Sequence, residues 1–284
     1  VDPTTAGTAE AWYVHGQVYL AIGNDAAMSA GCADCFSQAY SSFLKAEELD
    51  SKKEFVLDIE ANKLPAIRQA VFDQGVAAFG NNDFKKSLES FEFVIKLTPD
   101  EVAAIQNAAF SAENAKDWSK ADKYYRDLIR RKESTDKTFA SLARISLQLN
   151  DTALALEVLK DGRLAYPDSV GLLLAEINIY LASGKGKEAL SSLEIAVTKD
   201  PKNSSLFLAM GSVYETMAKP VDASGNPLPK PADQTALLSK AKESYQRGLD
   251  IDSMQFELNF NMGAMIFNEG TEVENVANSL TKES

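Results

Sequence analysis

The stretch DKTFASLARISLQLNDTALALEVLKDGRLAYPDS, Asp136 to Ser169, decides the fold. Its first half reads as one helix. Asn150-Asp151 supplies turn chemistry, a second helix carries Ala155, Leu159 and Gly162, and Pro167 ends the unit because proline cannot continue a helix. The unit recurs with a period of 34 residues: Ala121, Ala155 and Ala189 form one ladder, and Gly75, Ala109 and Ala143 another. Pro167 and Pro201 are one period apart, and Pro99 lies two periods before Pro167. Such regular recurrence of small residues and prolines marks a stacked supersecondary unit.

Frames of this length start at Arg68, Val102, Asp136, Val170 and Ser204. The first helix of the opening frame sets Val71, Gly75, Ala78 and Phe79 at spacings of one to four residues. Turns follow at Gly80 to Asp83, Asn114 to Asp117, Asn150-Asp151 and Ser183 to Gly186. Where two helices cross closely, only Gly, Ala or Ser leaves room for backbone approach. Gly75, Ala109, Ala143 and Gly211 are the expected close-approach points on first helices, and Ser87, Ala121, Ala155 and Ala189 those on second helices.

These residues resemble the tetratricopeptide repeat (TPR), whose first helix carries a large apolar residue, Leu-Gly and Tyr, and whose second carries Ala, an aromatic, Ala and a closing Pro. Phe207, Met210-Gly211 and Tyr214, followed by Ala241, Tyr245 and Gly248, fit that pattern, as do Trp12, Gly16 and Tyr19 followed by Ala39, Phe43 and Ala46. Phe260, Met262-Gly263 and Ile266 resemble one more first helix. Departures occur at Glu176-Ile177 for Leu-Gly, at Glu133 and Ser253 for the proline, and at Ala78 and Ala112 for the tyrosine.

The resemblance implies an all-α, right-handed superhelical solenoid of stacked antiparallel helix pairs, forming a single array over 1–284. The expected repeats are 9–53 with a loop insertion at 24–34, then 68–101, 102–135, 136–169, 170–203, and 204–255 with a proline-rich loop at 220–233. A linker helix fills 54–67, a partial repeat 256–270, and a polar tail without a second helix 271–284.

Formal net charge is -12, and a nucleic-acid binder ordinarily shows a basic face, so DNA and RNA are not expected partners. No apolar run approaches the length needed to cross a bilayer, so a soluble chain without membrane insertion is expected. The chain opens at Val1, which leaves room for a removed leader or tag. The long loops and this start resemble exported bacterial TPR proteins, so an exported or periplasmic location is favoured over a cytoplasmic one.

Chemistry is sparse. With His15 as the one histidine, most general-base and triad arrangements lack their base, and its expected role is packing between Trp12 and Tyr19. Cys32 and Cys35 supply too few ligands for zinc, and read as a loop disulfide or two free thiols. Gly184 to Lys187 lacks the strand and spacing of a phosphate loop. Asp50, Asp58 and Glu60 do not form a calcium loop, and Glu47-Glu48 reads as solvated helix surface. No catalytic residue, cofactor or metal is expected.

First helices line the inner face of such a solenoid. Their residues outside the core define the candidate partner-binding groove: Gln106, Asn107, Phe110, Asn114, Lys137, Arg144, Gln148 and Asn178. Amides there suit a peptide backbone, and Lys137 with Arg144 suits a carboxylate. Ala175, Leu174, Leu208 and Ala209 make the later part more apolar. TPR domains that grip a C-terminal carboxylate are matched at Asn107 and Lys137 but not at Phe72, Val76 and Ser141. The expected function is therefore a scaffold for a protein or peptide partner. The alternative is an assembly module that docks through its ends, outer face or loops, including homo-association near Phe260 and Phe267.

Overall fold

In the computed structural model, residues 6–25, 27–221 and 224–282 are described, with side chains described as far as 271. The chain divides into two compact units, Val1–Ser134 and Thr135–Ser284. Both are built from antiparallel helix pairs, and the only strand-like pairing among the described residues is an isolated bridge between Val221 and Pro227.

The first unit opens with α1 (Ala9–Asn24) and α2 (Cys35–Leu49), joined through a 3-10 turn at Ser29–Gly31. Then come α3 (Val56–Asp58), α4 (Leu64–Gly80) and α5 (Phe84–Leu97), with α6 (Val102–Asn114) and α7 (Trp118–Arg130) as the last pair. The second unit holds α8 (Asp136–Gln148) with α9 (Thr152–Ala165), α10 (Val170–Ala182) with α11 (Gly186–Lys199), and α12 (Ser204–Ala218) with α13 (Gln234–Ile251). It closes with α14 (Phe256–Lys282), packed on α13.

Two sequence expectations change. The linker helix at 54–67 is not a separate element: α3 passes through a π-helical stretch, Ile59–Lys63, directly into α4. Pro65 stands in the first turn of α4 and brings no N–H, so an α-helical ladder cannot run through it unbroken, and the wider π turn absorbs the mismatch. Tyr13 of α1 donates a hydrogen bond to Asp58, whose carboxyl is held at about 2 chiefly by that bond. The expected partial repeat at 256–270 and the polar tail after it form one helix, α14, as far as Lys282, with no second helix among the described residues.

The turns inside pairs share one construction. Asn82, Lys116, Asn150 and Gly184 take left-handed backbone angles, with φ of 61°, 59°, 59° and 68°. The next residue returns its N–H to a carbonyl five residues back: Asp83 to Ala78, Asp117 to Ala112, Asp151 to Ser146 and Lys185 to Tyr180, at 2.9, 2.9, 2.9 and 2.8 Å. This ties off the exposed carbonyls of the first helix. Asp83, Asp117 and Asp151 then cap the second helix by accepting from the N–H groups of Lys86, Lys120 and Leu154.

Packing follows the small-residue ladders. A β-carbon at Gly75 would lie 2.9 Å from the Phe91 ring, and one at Gly211 would lie 2.3 Å from the Tyr245 ring, so only glycine admits these aromatics. Ala109, Ala121, Ala143, Ala155 and Ala189 are all buried. Ser87 is buried too, and its hydroxyl donates to the Gly75 carbonyl at 2.9 Å and pairs with Ser111 at 2.8 Å.

Candidate functional site

Four of the sequence-derived groove residues fall in the first unit, all on α6. Asn107, Phe110 and Asn114 follow one another along a stripe, with Gln106 one residue to the side. Gln106 and Asn107 are half-buried, whereas Phe110 and Asn114 are exposed. Each asparagine folds back on its own helix: the Asn107 amide donates to the Ala103 carbonyl and that of Asn114 to the Phe110 carbonyl, both at 2.8 Å. One N–H of each side chain is therefore committed to the helix, leaving a second donor and the amide oxygen for other contacts. Phe110 sets an edge against Tyr125 at 6.2 Å, yet remains 44% exposed between buried Ala109 and Ser111.

The other four lie in the second unit. Lys137, Arg144 and Gln148 run along one exposed stripe of α8, and Asn178 is exposed on α10, which packs beside α8. Arg144 donates to the Ser141 hydroxyl at 3.2 Å, and Ser141 itself is buried. Asn178 occupies the frame position of Arg144, as Phe110 does in the first unit. Leu174 is exposed, but Leu208 and Ala209 pack against the core and withdraw from the apolar surface expected there.

Two clefts escaped the sequence reading. One, of about 880 Å³, lies in the second unit between α9 and α11, with Leu156, Leu164, Ile195, Lys160 and Lys199 around it. Glu176 forms part of its lining at only 6% exposed. Its carboxylate accepts from Arg163 at 2.6 Å and Ser192 at 3.0 Å, which compensates a buried charge at the position where Leu was expected. A cleft of about 620 Å³ in the first unit is lined by Cys32, Cys35, Phe36, Gln74, Lys86 and Glu89, among others. A disulfide joins Cys32 to Cys35. The signals were the long 24–34 loop and the misplaced Glu176, neither of which announces a concavity.

His15 sits between Trp12 and Tyr19, with ring centroids 5.6 and 4.8 Å away, and its Nδ1 pairs with the Ser42 hydroxyl at 2.8 Å. Burial lowers its pKa. Among the described residues no cluster of three or more His, Cys, Asp or Glu could hold a metal ion, and no helix is long and apolar enough to cross a membrane.

No family model matches the chain, and no curated protein matches it in sequence. Solved structures do. MamA protein is 12% identical, over 66% of this chain and 92% of that one, with a TM-score of 0.51. MamA from Desulfovibrio magneticus RS-1 is 11% identical, over 66% and 97%, with a TM-score of 0.50. YrrB, "a TPR protein with an unusual peptide-binding site", is 17% identical over 74% and 97%, with a TM-score of 0.49. The two MamA structures have tetratricopeptide-repeat folds, and the chain has the TPR fold.

Proposed function

We propose that the chain is a non-enzymatic protein-interaction scaffold that takes an extended or helical segment of a partner against the exposed faces of its first helices. The observation that carries this reading is Phe110. A large ring stays 44% exposed on a helix whose flanking residues are core, surrounded by amides. A partner that covers it would withdraw that apolar area from water, which supports the reading. In the second unit Lys137 and Arg144 with exposed Leu174 fit a segment that mixes carboxylates with apolar side chains. The single, shielded histidine supports a role without acid–base catalysis, and the net charge of -12 supports partners other than nucleic acid. The Cys32–Cys35 disulfide supports an exported, oxidising setting.

The test is selection from a displayed random-peptide library. Peptides retained by the wild type should share acidic and apolar positions. Phe110→Ala should release one class, and Lys137→Ala with Arg144→Ala the acidic class, each by about tenfold in affinity. Retention equal to wild type in both variants contradicts the assignment. A second reading places the partner in the α9–α11 cleft, where Leu164 is 75% exposed beside Ile195.

A further inference from the structure

The chain repeats one packing device three times. In α1, α4 and α12 a buried glycine receives the edge of an aromatic ring from the antiparallel helix beside it: Gly16 receives Phe43, Gly75 receives Phe91 and Gly211 receives Tyr245. α14 carries the same seat. Met262-Gly263 repeats the Met210-Gly211 pair of α12, and Leu258, Met262 and Met265 bury into the core of the second unit. Yet nothing lies within 4 Å of a β-carbon built at Gly263. Around this empty seat Phe256, Phe260 and Phe267 are 73, 63 and 70% exposed.

The described residues supply no helix to fill it. Other first helices turn back after 13 to 17 residues. α14 instead runs unbroken for 27, so the chain stays helical where a returning helix would begin. What the face does match is itself. Phe256, Phe260, Gly263 and Phe267 fall on one stripe, at helical steps of four, three and four residues. Phe260 and Gly263 stand equally far either side of the midpoint between Asn261 and Met262, and so do Phe256 and Phe267. When two such helices meet antiparallel about a two-fold axis at that midpoint, each Phe260 enters the other copy's Gly263 seat, and each Phe256 faces a Phe267. An isologous interface requires this kind of self-complementarity.

We propose that α14 is a homodimerisation helix that pairs with the α14 of a second copy, Phe260 seated on Gly263. The pairing withdraws three exposed rings from water in each copy and aligns the helix dipoles head to tail.

Sedimentation equilibrium of the 284-residue chain tests this. The wild type should show a reversible monomer–dimer equilibrium. Gly263→Leu adds apolar surface, so it would strengthen mere stickiness, but in this register it occupies the seat of Phe260. It should raise the dissociation constant by about tenfold or more, with helix content by circular dichroism unchanged, since the site is open in the monomer. A short bismaleimide should join a mixture of Phe256→Cys and Phe267→Cys chains and leave each variant alone uncoupled. A wild type that is monomeric at every concentration overturns the proposal. So does a Gly263→Leu chain that dimerises as tightly as wild type, or a dimeric cysteine mixture that does not couple.

Discussion

Tyr125 and Tyr245 end in hydroxyls, and at one and the same position of the frame the first helix answers with Glu113 and Glu215, which accept at 2.6 and 3.2 Å. Where the second helix carries Phe91, Leu159 or Leu193, the corresponding first-helix residue is Phe79, Leu147 or Leu181. The pairs switch together between polar and apolar because an unmatched acid or hydroxyl against a helix interface loses its water without gaining a partner. Tyr125→Phe should therefore cost about 1–2 kcal/mol in urea denaturation, and an unchanged midpoint would show that the bond adds nothing net. His15 gives a pH-dependent prediction. Burial holds its folded pKa below the ordinary 6.5, so the unfolded chain binds its proton first as pH falls. Its contribution is fully present above about pH 6.5 and declines below it. The stability lost by wild type between about pH 7 and pH 5 should exceed that lost by His15→Gln. At this scale the sequence revealed which residues are small and buried. It did not reveal that Asn107 and Asn114 bond back to their own helices, because a polar side chain has the same identity whether it faces water, a partner or its own backbone.

The helices were legible from their ends as much as from their faces. The turn motifs at Asn82-Asp83, Lys116-Asp117 and Asn150-Asp151 combine a left-handed residue with a capping carboxylate, and chemistry of that kind is local. The fourth turn keeps the left-handed Gly184 but places Lys185 where the cap should be, and α11 has no side-chain cap. Lys185→Asp should stabilise the protein by about 1 kcal/mol, read as a raised melting temperature. A melting temperature at or below that of wild type would show that this terminus is already satisfied. Elements without such punctuation were less legible. Pro65 does stand in the first turn of α4, but nothing marks the π turn at Ile59–Lys63 that joins α3 to it. The polar residues after Gly270 gave no sign that α14 continues.

At the scale of the molecule, the 34-residue period predicted stacked antiparallel pairs because each pair buries its apolar faces against its neighbours. The division into two units was not legible, since the period keeps its phase through residue 134. Surfaces were legible only in part. First-helix positions stand out as the residues that the core does not claim, whereas the cleft beside Leu164 and Ile195 depends on how α9 and α11 are spaced. Oxidative side-chain footprinting, with and without a peptide recovered by selection on the wild-type chain, tests the scaffold reading most directly. The account predicts that bound peptide protects Phe110 or Leu174 on the first helices and leaves Leu164 and Ile195 as reactive as in the free chain. Protection of Leu164 and Ile195 with Phe110 and Leu174 unchanged would contradict it.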